Sequence, residues 1–176
     1  LIWAGLLLVG NSSNLSFAQF REQGYLPTIN YEPSEYGGRE QNWAIVQDQR
    51  GVMYFGNNGG VLEFDGVKWR MIELPDEVEV RSMARDEKGT IYLGAKGDFG
   101  YLSPDTNGVL SYASLLPQVN ETDREFSDVW TTLVTDNGIY FQSKEKIFRW
   151  LDNTMTAWSI VGSIANGYYH KMFYVN

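Results

Sequence analysis

Apolar residues along this chain come in short runs that alternate with polar residues and break at Gly, Asp or Asn. Alternation with a period of two marks half-buried strands, and β-branched and aromatic residues fill these runs. One stretch reads Asn42-Trp43-Ala44-Ile45-Val46-Gln47, then Asp48-Gln49-Arg50-Gly51, then Val52-Met53-Tyr54-Phe55-Gly56. It predicts a strand, a tight connection and a second strand. In Asp-x-x-Gly the carboxylate accepts backbone N–H groups across the turn, and Gly supplies a positive φ. A third strand over 61–64 ends in Asp65-Gly66, a strong hairpin signal, and a fourth follows over 67–72. No convincing amphipathic helix is present; Leu115-Leu116-Pro117 is too short and ends at a proline.

The same order of elements returns. Val80-Arg81-Ser82-Met83-Ala84-Arg85 leads through Asp86-Glu87-Lys88-Gly89 into Thr90-Ile91-Tyr92-Leu93-Gly94. Asp48/Asp86, Gly51/Gly89, Tyr54/Tyr92 and Gly56/Gly94 therefore repeat at an offset of 38. A looser copy runs from Val129 through Asp136-Asn137-Gly138 to Phe141; it has one turn residue fewer, and Gln142 stands where the second glycine would be. Four short antiparallel strands repeating every 38 to 49 residues predict β-propeller blades. The expected fold is all-β: a partial β-propeller of three four-stranded blades, over about 42–74, 80–116 and 126–160, with a fourth beginning near 166. One blade cannot bury both faces of its sheet, whereas stacked blades bury them against each other. A partial propeller is thus expected to expose a blade face at each open end and to be marginal or aggregation-prone in isolation.

This repeat resembles the two-component regulator propeller repeat, in particular the periplasmic sensor region of Bacteroidota triple-tyrosine-motif regulators and hybrid two-component histidine kinases. The resemblance rests on Gln41-Asn42-Trp43, the turns at Asp48-Gly51 and Asp86-Gly89, Gly60-Val61-Leu62-Glu63-Phe64-Asp65-Gly66, Trp69 and Phe99-Gly100-Tyr101-Leu102, and it covers roughly residues 25–160. It implies an exported sensor region followed in the whole protein by further blades, C-terminal domains and a kinase or DNA-binding output, with a receptor that works as a dimer. It also implies an oligosaccharide or other small ligand. Residues 19–41 would then be an extended segment whose part around 24–31 supplies a closing strand to the last blade.

Composition narrows the function. Lys and Arg number 14 against 22 Asp and Glu, for a net charge of −8. That balance argues against nucleic-acid binding by this region, which needs cations to neutralise phosphates. With no cysteine and one histidine, a disulfide framework, thiolate metal sites and a His-rich zinc centre are excluded, and a Ser-His-Asp triad is disfavoured. Residues 1–18 pair an apolar run with a small-residue exit at Ser16 and Ala18, which reads as the remnant of a signal peptide, so the expected location is the periplasm. A buried first element is the other reading of that run.

No residue set demands catalysis or a cofactor. The acidic loop of Asp76, Glu77 and Glu79 lacks the alternating spacing of a calcium loop, and His170 has no metal-ligating neighbour. The repeated turn residues Asp48, Gly51, Asp86, Gly89, Asp136 and Gly138 are expected to be structural. The more interesting set lies eight residues before each turn glycine: Trp43, Arg81 and Trp130. In a propeller that position starts the innermost strand, at one rim of the central channel. Two indoles and a guanidinium there would stack on sugars and clasp carboxylate or sulfate groups, or else fill the gap between blades. Three functions remain in view: an extracytoplasmic sensor, a carbohydrate-active propeller enzyme, and a structural or protein-binding propeller.

Overall fold

The computed structural model describes Gly24 and residues 27–160. The signal-like segment, the beginning of a fourth blade and His170 lie outside the described residues. The chain divides into a unit up to Asn30 and a unit from Tyr31 onward. Of the first, Gly24 and residues 27–30 are exposed and without regular secondary structure.

In the second unit the alternating runs become three four-stranded antiparallel sheets, each in sequential strand order. The first holds β1 (Asn42–Gln47), β2 (Met53–Asn57), β3 (Gly60–Phe64) and β4 (Trp69–Ile72). The second holds β5 (Val80–Arg85), β6 (Ile91–Ala95), β7 (Phe99–Pro104) and β8 (Leu110–Ser114). The third holds β9 (Thr131–Thr135), β10 (Gly138–Gln142), β11 (Lys146–Leu151) and β12 (Thr154–Ser159). The leading strands β1, β5 and β9 neighbour one another in turn, so the sheets fan out as successive blades of a partial β-propeller. No described helix is long and apolar enough to cross a membrane.

The core lies between blades, not within them. Tyr54, Val61 and Ile72 of the first blade pack on Val80, Ile91, Leu93 and Leu102 of the second. Phe99 of the second packs on Phe141 and Phe148 of the third, at centroid separations of 4.5 and 4.8 Å. All three phenyl rings are fully buried, and burying each contributes about 1.5–3 kcal/mol. The repeated second glycine is what lets the blades meet. A Cβ at Gly56 would lie 2.9 Å from Val80 Cγ1 of the next blade. One at Gly94 would meet Val129, both its side chain and its carbonyl oxygen, the latter at 2.7 Å.

The stretch 31–41 departs from the expected extended segment. It carries a four-residue helix, α1 (Pro33–Tyr36), ended by Gly37 in the left-handed conformation at φ 69°. Tyr31 and Tyr36 then lie against Trp69 on the outer face of the first blade, with centroids at 5.3 and 5.6 Å. Leu62 on that face is buried, so the outer part of the open face of the first blade is covered, while Ile45 on its innermost strand stays 61% exposed. The apolar stripe on alternate residues of β3 and β4 needs a cover, and two tyrosines from the preceding chain supply it. Buried Asn57 anchors the segment: its amide donates to the carbonyls of Arg39 and Gln41, and its Oδ1 accepts from the Arg39 N–H at 2.9 Å.

Candidate functional site

Two β-bulges shape the rim where the innermost strands begin. Asn42 pairs with Asn57 and Ala44 with Gly56, leaving Trp43 unpaired; Val80 pairs with Ala95 and Ser82 with Gly94, leaving Arg81 unpaired. The extra residue in a bulge is turned away from the sheet's alternation. Trp130 takes the equivalent place: its N–H donates to the Gln142 carbonyl, while Thr131 is the strand partner of Gln142.

The structure brings all three side chains together. The Arg81 guanidinium lies 4.5 Å from the Trp43 ring centroid and 5.0 Å from that of Trp130. The two indoles meet edge-to-face at 5.7 Å. Arg81 also bonds to its own chain through each nitrogen. Nε donates to Asp128 Oδ1 at 2.8 Å, Nη2 to Glu79, and Nη1 to Asn58 Oδ1 at 3.3 Å. Asn58 Oδ1 accepts the Trp43 Nε1–H as well, at 2.6 Å, and its amide donates to Gln41 Oε1. The Arg81 side chain is only 12% exposed, while Trp43 and Trp130 remain 43% and 45% exposed. One cation thus stands against two carboxylates, so the rim repels anions, and its accessible surface is indole, carboxylate and amide.

Asp128 and Asn58 have no place in the sequence reading, and Glu79 enters it only as part of an acidic loop, not as a partner of Arg81. A signal was there for two of them: ten residues before each turn glycine stand Gln41, Glu79 and Asp128. The set therefore recurs in register, an amide or carboxylate two places ahead of each of Trp43, Arg81 and Trp130.

The turn residues lie at the far ends of the same strands. Asp48 Oδ1 accepts the N–H groups of Arg50 and Val52, and Gly51 adopts φ 87°. Burial opposes charge on Asp48, yet the hydrogen bonds from Arg50 and Val52 outweigh it and hold the carboxyl below its ordinary range. Asp86 Oδ1 accepts the Thr90 N–H, with Gly89 at φ 91°. The third turn differs from expectation. Thr135, not Asp136, bonds across it: its hydroxyl accepts the Asn137 N–H and donates to the Gly138 carbonyl. With one residue deleted, Thr135 is the residue three before the glycine, and Asp136 moves to the exposed tip. The pattern also has a copy that the repeat count passed over: Asp105 Oδ1 caps Asn107 and Val109, and Gly108 has φ 79°.

Asp98 shows the opposite electrostatics. Burial raises its carboxyl above the ordinary range, against hydrogen bonds from Ser114 Oγ and the Phe99 N–H, both 2.7 Å. Burial, with Asp98 alongside, also raises the phenol of Tyr112. Among the described residues no group of three or more His, Cys, Asp or Glu is placed to hold a metal.

Sequential four-stranded blades around a shared inner-strand axis define the class: a segment of a β-propeller. Solved structures share this fold. One is virginiamycin B lyase from Staphylococcus aureus, with TM-score 0.51 and 14% identity over 69% of this chain and 42% of that one. Two others are of the extracellular domain of one B. thetaiotaomicron protein, described in the first as a one-component system and in the second as a hybrid two-component system. They give TM-scores of 0.56 and 0.53, identities of 14% and 16%, and cover 75% and 71% of this chain but 18% and 17% of theirs. The chain therefore spans less than half the length of each. No family model and no curated protein matches it. At these identities the likeness is one of fold, and at that level it meets the resemblance read in the repeats.

Proposed function

We propose that this chain is part of an extracytoplasmic, periplasmic sensing propeller in a signalling receptor that regulates transcription, and that its bulge rim takes an uncharged saccharide. The observation that carries the reading is the pair of half-exposed indoles, Trp43 and Trp130, held at a fixed angle by an arginine whose charge is already matched inside the chain. Sugar C–H faces stack on indole, and Asn58, Gln41 and the rim carboxylates offer acceptors to hydroxyl groups. A carboxylated or sulfated ligand is disfavoured, because Glu79 and Asp128 already bond Arg81. The likeness to an extracellular domain of a B. thetaiotaomicron signalling protein supports the sensor role. Ligand binding would act by favouring one packing of the propeller against the domains that follow, across a receptor dimer.

The fold neighbour that is a lyase favours a second reading, an enzyme. Against it, the two rim carboxylates are engaged by one guanidinium and neither stands free as acid or base. The test is titration of neutral oligosaccharides into the full chain, read by tryptophan fluorescence. Lost saturation in Trp43→Ala and Trp130→Ala with unchanged melting supports the rim as the site. Saccharide binding that survives both substitutions removes it, and release of cleaved product selects the enzyme.

A further inference from the structure

The turn ends of the strands carry a second feature. Between the second and third blades a cleft of about 660 Å³ opens there, within the usual ~300–1,000 Å³ of small-molecule sites. The corresponding cleft between the first and second blades has about 220 Å³. At the smaller cleft Arg50 donates to the buried Tyr54 hydroxyl at 3.2 Å and to Asp48 Oδ2 at 2.9 Å. At the larger one Lys88 stands in the place of Arg50, and Tyr92, the equivalent of Tyr54, is half-buried. One aromatic ring from each blade borders the larger space: Tyr92 on β6 and Trp150 on β11, both packed on the phenyl core of that seam.

Charge gives this cleft no cationic pole. Its lining holds four carboxylates against two cations, and the second-blade wall alone mixes both signs, in Arg85, Asp86, Glu87 and Lys88. Asp86 is held by its turn, with Oδ1 accepting the Thr90 N–H at 2.8 Å. Arg85, Glu87 and Lys88 are exposed, so that wall offers donors and acceptors side by side. The third-blade wall adds the exposed carboxylates of Asp136 and Asp152. The excess of carboxylates disfavours a phosphate or any other anion. A flat ring presents a face to the aromatic side chain of each wall, whereas a sugar ring, puckered and edged with hydroxyls, fills such a slot less well. A ring edge that carries both donors and acceptors matches a wall of mixed sign, and a vicinal diol can donate both hydroxyls to one carboxylate. We infer that this cleft binds a nucleoside, with its base between Tyr92 and Trp150, the edge of the base toward Arg85 and Glu87, and its ribose diol on the carboxylates of Asp136 and Asp152. The cleft and the bulge rim lie at opposite ends of β5 and β9, so this site stands independently of the saccharide reading.

The probe is adenosine titrated into the full chain, followed by calorimetry and by the NMR shift of the Trp150 indole N–H. Saturable binding is expected. It should weaken about tenfold or more for adenosine 5′-monophosphate, whose phosphate meets the carboxylates, and for 2′,3′-dideoxyadenosine, which lacks the diol. The double substitution Asp136→Asn with Asp152→Asn should bring adenosine down to the affinity of the dideoxy compound and abolish the discrimination between the two. Both aspartates are exposed, so the melting temperature of the double variant should stay within about 2 °C of the native value. Absence of saturation at millimolar adenosine, equal binding of the monophosphate, full discrimination of the diol in the double variant, or a neutral oligosaccharide shifting the Trp150 signal in place of adenosine overturns the inference without touching the rim site.

Discussion

The seams between blades one and two and between blades two and three are built from the same repeat yet solve different problems. The first seam is aliphatic at its centre and closed at its turn end by the Asp48–Arg50–Tyr54 group. The second is aromatic, with stacked Phe99, Phe141 and Phe148, and open at its turn end. It is also tied by polar bonds: Ser82 Oγ donates to the Val129 carbonyl and lies 2.8 Å from Thr132 Oγ1. A tighter centre accompanies a looser rim. At that open end the third turn is one residue shorter, and Lys88 stands where the first seam has Arg50.

The two glycines give the sharpest test of that contrast. Gly94→Ala drives a methyl group into Val129 and its backbone carbonyl, which cannot move without disturbing the bonds that hold Val129, from its N–H to Ala95 and from the Ser82 hydroxyl to its carbonyl. Gly56→Ala meets mainly the Val80 side chain and the Met83 sulfur, which have more room to shift. Overpacking a filled core costs roughly 1–3 kcal/mol. We expect about 3 kcal/mol for Gly94→Ala and nearer 1 kcal/mol for Gly56→Ala, read from urea denaturation midpoints at constant slope. Equal losses would mean that the seams are equally tight.

Most of the architecture was legible in the sequence because it is local. Strand periodicity, Asp-x-x-Gly turns and the 38-residue offset between Gly51 and Gly89 are set by neighbours in the chain. The rim set of Trp43, Arg81 and Trp130 was found by counting from a glycine, since a repeat converts sequence position into spatial position. What stayed hidden depends on contacts between distant segments. Asp128 reaches Arg81 across 47 residues, and the cover that Tyr31 and Tyr36 place over Trp69 has no periodic signature. Asp136 was misjudged for a smaller reason: the deletion shifts the register, so the residue that bonds across the turn is the one three before the glycine, whatever its type.

Electrostatics separates two buried carboxyls, Asp98 of the second blade and Asp48 of the first, and a middle-sized effect tests it. A carboxyl raised in the folded chain, as at Asp98, binds its proton more tightly there than in the unfolded chain. Its penalty is full above the folded value and is relieved as pH falls through that value toward the unfolded 3.8. Asp48, lowered when folded, contributes stability that is present above the unfolded 3.8 and is lost as pH falls through the folded value. Asp98→Asn keeps an acceptor for Ser114 and Phe99 and removes the buried charge. We expect it to stabilise the chain by roughly 0.5–1 kcal/mol at pH 7, with the advantage shrinking as pH drops toward 4. Denaturation of both proteins across that range decides it: an advantage that grows on acidification would reverse the assignment for Asp98.

The smallest effect addresses the shortened turn itself. Thr135→Ala removes the hydroxyl that accepts the Asn137 N–H at 3.1 Å and donates to the Gly138 carbonyl at 3.0 Å. Both bonds are near the surface, where water replaces them in part, so the expected loss is about 0.5 kcal/mol. Asp136→Ala should change stability by less than about 0.3 kcal/mol, because its exposed carboxylate makes no bond in the turn. Thr135→Asp offers a carboxylate where the longer turns have one and should recover most of the loss seen in Thr135→Ala. If Asp136→Ala proves the costlier of the first two, the turn in solution uses the aspartate after all, and the shift of register inferred for the third blade fails with it.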